Sequence, residues 1–155
     1  MSAHSHHAHG HDGGSGGAFR TSAQATIHCL TGCVIGEVVG LGIGVTLELG
    51  TCTTILLATG LAYLSGITLG LLPVMKGRGV GLIEAFRIIW LGEVISIGVM
   101  EIVMNFVDYQ MGGMSAPSVA SWMFWRGILF AVPAGFLAAW PVNYWLLKRE
   151  LKACH

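Results

Sequence analysis

The 155-residue chain is 54% hydrophobic and only 10% charged, with a mean hydropathy of +0.70. Its eight basic and eight acidic residues cancel, which removes the electrostatic basis for a nucleic-acid partner. This composition excludes an ordinary soluble catalytic domain and places the chain among membrane proteins, with room for one compact bundle.

Residues 1–20 differ in composition from the rest. His4, His6, His7, His9 and His11 alternate with small residues, and a Gly/Ser linker follows. Such a tract cannot build a core, so a disordered cytoplasmic tail is expected. Clustered neutral imidazoles bind borderline divalent metals, so this tail is an auxiliary metal-capturing segment by its chemistry. It lacks the apolar stretch of a secretory signal.

Residues 21–155 are expected to form one all-α domain, an antiparallel bundle of four transmembrane helices near 24–47, 52–75, 82–107 and 121–147. Each stretch is long enough to cross ~30 Å of hydrocarbon at ~1.5 Å per residue. The first carries an HCxxGCxxGE run from His28 to Glu37. At about 100° per residue, Cys29, Cys33 and Glu37 drift only about 40° per step and share one stripe. Beside them runs a ladder of Gly32, Gly36, Gly40 and Gly44, which lets a neighbouring helix approach closely and is expected to bring the first and third helices together at the centre of the bundle. Thiols and a carboxylate in a membrane helix point to function, against the plainer reading of packing residues and a structural carboxyl.

The Glu48–Thr51 connection is short, so the second span must be an antiparallel neighbour of the first. It is rich in Gly, Thr and Ser, and Gly66 and Gly70 lie one turn apart. Pro73 falls near its end, where it can help to stop the helix.

The third span repeats the first. Gly36-Glu37-Val38 aligns on Gly92-Glu93-Val94 at an offset of 56 residues, which implies a duplicated helical hairpin with its pseudo-twofold axis along the membrane normal. Glu37 and Glu93 should then face one another at one depth. Two such carboxylates in a low dielectric cannot both stay ionised without a cation, so the pair could exchange a proton for a metal ion. Glu93, Met100, Glu101, Met104 and Asp108 lie within about 80° of one another on this helix. The methionines alone would read as core filler. Arg87 or Arg126 could instead neutralise the carboxylates. On the fourth span, Trp122, Trp125, Trp140 and Trp145 lie towards the two ends, as interfacial anchors do.

Arg20, Lys76, Arg78, Lys148, Arg149 and Lys152 fall at the termini and the second loop, and the other two loops lack Lys and Arg. The positive-inside rule therefore puts both termini in the cytoplasm.

With the HCxxGCxxGE run, the repeated GEV and the histidine-rich leader assembled, the chain resembles a small bacterial inner-membrane family catalogued as a domain of unknown function, number four-three-nine-six. The resemblance covers roughly residues 20 to 150, and His28, Cys29, Gly32, Cys33, Gly36 and Glu37 match the family's first-helix pattern. It implies a multi-pass location in the bacterial inner membrane and carries no activity or substrate.

The expected function is binding, transport or homeostasis of a transition metal at an intramembrane Cys/Glu site. Thiolate and thioether ligands suit copper, and the His and carboxylate complement also suits zinc. The expected ligands are His28, Cys29, Cys33, Glu37, Glu93, Met100, Glu101 and Met104. No enzymatic activity is expected. The bilayer, a second copy or a metal-handling protein would be the partners. The alternative is a structural or accessory subunit that recruits a partner enzyme. Haem is a poorer choice, because His28 is the only histidine in the bundle and bis-His ligation is unavailable there.

Overall fold

The computed structural model describes residues 15–149, and the tail histidines, Lys152 and Cys154 lie outside them. The helices are α1 (Ser15–Thr46), α2 (Thr51–Arg78), α3 (Leu82–Met111) and α4 (Trp122–Lys148), with a single 3-10 turn at Gly113–Ser115 before α4. All four are long and apolar enough to cross a membrane. The expected spans match closely except at the first, which begins at Ser15, inside the segment expected to be disordered. The extension is held by packing: Phe19 stacks on Trp140 with ring centroids 4.5 Å apart.

The surface explains why helices alone are used. Leu56, Ile83 and Ile102 are 74%, 72% and 73% exposed, while Glu37, Asp108, Asn143 and Thr26 are fully buried. An exterior of this kind is at home in hydrocarbon, where every backbone group must be satisfied within its own helix. Length and composition thus fit a multi-pass membrane protein. The α2 and α3 helices both end on a left-handed glycine, Gly79 (φ 64°) and Gly112 (φ 78°), where a side chain would be strained. Arg126 Nη2 donates to the Met111 carbonyl at 2.6 Å and covers the same end of α3.

Around the bundle the helices follow chain order. The α1 helix packs most extensively on α2, and α3 on α4; the diagonal α1–α3 contact is small. The glycine ladder therefore faces α2, and does not join helices one and three as expected. Added Cβ atoms at Gly32, Gly36, Gly40 and Gly44 would meet Gly66, Ala62, Ala58 and Thr54 in turn. Each step of four up α1 is thus a step of four down α2, an antiparallel register set by small residues. Ser65 ties the seam by donating to the Gly32 carbonyl at 2.6 Å.

Candidate functional site

With the glycines turned to α2, the other stripe of α1 points into the bundle. Ser22, Thr26, Cys29, Cys33 and Glu37 are spaced four, three, four and four residues apart, so they stay on one face. All are buried, with Cys29 3% exposed and the other four 0%. This face meets α3 and α4 across the bundle axis.

The thiols and carboxyls form contact pairs. Cys33 lies close to both Cys29 and Glu101. Cys29 Sγ is 3.6 Å from Ser96 Oγ. Glu37 faces Glu101, with Asp108 further along α3. Neither Glu37 oxygen receives a donor. The contact between Glu37 and Glu101 is thus one of two acceptors, which a shared proton or a cation would convert into an attraction. Asn105 holds Glu101 from below: its Nδ2 donates to the Glu101 carbonyl at 2.9 Å and to Oε2 at 3.3 Å, and reaches Thr59 Oγ1 of α2 at 3.4 Å.

Met100 and Met104 are fully buried in the same cluster as Cys29 and Cys33, together with Ile97 and Ala131. They lean on Gly135 of α4, where an added Cβ would come 2.6 Å from Met104 Cγ and 3.1 Å from Met100 Cγ. A glycine there gives two thioethers room beside two thiols.

Two expected ligands stand elsewhere. His28 is exposed, and its Nε2 lies 2.9 Å from the Leu69 carbonyl of α2, about 100° round the helix from Cys29. Glu93 also faces α2, packed where a Cβ on Gly70 would lie 3.4 Å from its carboxyl carbon. The expected Glu37–Glu93 pair therefore does not form. The partner of Glu37 is Glu101, eight residues or about 12 Å further along α3. The GEV match at an offset of 56 is a likeness of sequence without equivalence of depth, because contacts across the axis join residues 64 to 68 apart. Arg126 is engaged with α3's last turn and Arg87 is exposed.

At the far end of α3, Asp108 is fully buried and packs so closely on Gly113 and Gly127 that a Cβ at either would overlap its carboxylate. The Met114 backbone N–H lies near its carboxylate without closing a full hydrogen bond. At the opposite end, Asn143 Nδ2 donates to Thr26 Oγ1 at 2.8 Å and Trp140 Nε1 to Ser22 Oγ at 3.1 Å. Ser96, Asn105, Trp140, Asn143, Thr26 and Ser22 were missed in the sequence reading as parts of the polar interior. The steps of four and three residues from Ser22 to Thr26 to Cys29, and a single Asn in each of two apolar spans, were the available signals.

Among the described residues, no three His, Cys, Asp or Glu side chains already surround one metal-sized point. The donors meet in pairs, and thioethers fall outside that set.

An all-α four-helix bundle with a polar interior and an apolar exterior defines the class. The chain belongs to the family described as Domain of unknown function (DUF4396), which matches residues 18–152. No curated protein and no solved structure matches it.

Proposed function

We propose that this is a transition-metal binding and transport protein of the bacterial inner membrane, with copper or zinc as its cargo. The observation that carries the reading is the contact series Cys29–Cys33–Glu101–Glu37 in the buried centre of the bundle, where the Glu37 oxygens have no protein donor. Unpaired carboxylates are costly in such a place, and a cation between them and the thiols would offset that cost. Thiolates with a carboxylate suit zinc, and Met100 and Met104 bring the set towards copper(I).

Arg20, Lys76, Arg78, Lys148 and Arg149 fall at one end of the antiparallel bundle. By the positive-inside rule that end is cytoplasmic. The histidine tail would then gather metal on the same side. His28 and Glu93, turned to α2, lie outside the proposed ligand set.

The test is metal stoichiometry in protein lacking residues 1–14, which separates the bundle from the histidines. One equivalent of zinc or copper(I) should bind tightly. Cys29→Ser with Cys33→Ser should weaken that binding by roughly a hundredfold or more, as expected when both soft ligands go. Unaltered binding would make both cysteines packing residues.

A further inference from the structure

The seams of the bundle are closed in different ways. Between α1 and α2 backbone lies on backbone at Gly32, Gly36 and Gly40. Where α1 begins and α4 finishes, the closure is made by two side-chain hydrogen bonds, Trp140 Nε1 to Ser22 Oγ at 3.1 Å and Asn143 Nδ2 to Thr26 Oγ1 at 2.8 Å. Each α1 hydroxyl spends its own proton on its own helix. Ser22 donates to the Phe19 carbonyl at 2.8 Å and Thr26 to the Ser22 carbonyl at 2.7 Å. What they offer α4 is an oxygen lone pair, which water or a hydrated cation could take over without disturbing α1.

The α4 side of the closure sits beside a proline. Pro133 and Pro141 lie inside α4. Proline has no N–H, so the carbonyls of Leu129 and Leu137 lose their usual partners and the helix can bend there. Pro141 directly follows Trp140 and precedes Asn143 by two residues. On the α1 side, Cys29 is three residues beyond Thr26 and Cys33 is seven beyond it, on the same buried face.

We infer that Trp140 and Asn143 form a gate over the route from this end of the bundle to the Cys29 and Cys33 thiols, opened when α4 bends away from α1. The cargo passing it rests on the metal-binding reading above; the gate itself does not.

The test reads thiol access without metal. In the full chain with Cys52→Ser and Cys154→Ser, Cys29 and Cys33 are reacted in detergent with a cationic methanethiosulfonate and followed by mass. Trp140→Phe combined with Asn143→Ala should speed labelling about tenfold, given the modest strength of interhelical hydrogen bonds in membrane bundles. Phe at 140 keeps the ring that packs on Phe19 and Phe136. Ser22→Ala with Thr26→Val breaks the same two bonds from α1 and should give a similar gain if the first pair does not fold. Phe124→Leu, which loosens the core at the opposite end, should leave the rate near wild type. A rate unchanged in both seam variants while they remain monodisperse and helical would overturn the gate. So would an equal gain from Phe124→Leu, which would mark general loosening. Gated labelling in a protein that binds no metal would support the gate and remove its cargo.

Discussion

Glu101 and Glu93 stand two turns apart on one helix and share a chemistry, yet their surroundings separate their roles. Glu101 meets Cys33 and Glu37 and is held by Asn105, whereas Glu93 packs on Gly70 of α2. Replacing Glu101 by Gln should lower metal affinity roughly tenfold to a hundredfold, because it removes a charge at the thiols. Glu93→Gln should leave affinity within about threefold, since it lies about 12 Å from the Glu37 contact. Isothermal titration of both variants, with residues 1–14 removed, checks the contrast. Equal losses would return Glu93 to the site. The sequence made Glu93 the better candidate because the GEV likeness is visible in the letters. Which carboxylate meets Glu37 depends on how far α3 is shifted along α1, and no local residue encodes that shift.

At the scale of the helix, small residues set the spacing of α1 and α2. An added methyl at Gly36 would fall on the Ala62 backbone, whereas one at Gly60 meets nothing within 4 Å. Gly36→Ala should therefore cost about 1–3 kcal/mol by forcing the helices apart. Gly60→Ala should stay within about 1 kcal/mol of wild type, since helix propensity favours the alanine. Thermal unfolding in one detergent measures both, and equal effects would mean that the ladder does not set the α1–α2 distance. The ladder itself was legible from its four-residue repeat. Its partner was legible in part: the short Glu48–Thr51 turn makes α2 an antiparallel neighbour, but Gly32 to Gly44 fits any helix with small residues, and the register that matches it to Gly66, Ala62 and Ala58 shows only in the structure.

Across the whole molecule, the four spans and their order could be read from apolar length, whereas Pro73, expected to help stop α2, lies inside it and the helix ends on Gly79, as α3 does on Gly112. The polar interior was only half legible. Cys29, Cys33 and Glu37 declare themselves by spacing on one helix, while Ser96, Asn105 and Asn143 join them only through contacts between helices. The structure gathers these groups along the axis of a bundle whose outside is apolar, and the proposed metal site is where thiols and carboxyls meet. The most direct measurement is X-ray absorption at the zinc edge of protein lacking residues 1–14 and loaded with one equivalent of metal. The expected spectrum has a sulfur shell of two atoms at about 2.3 Å with oxygen at about 2.0–2.2 Å. A shell of nitrogen and oxygen without sulfur, or a failure to retain one equivalent, would contradict an intramembrane thiol site.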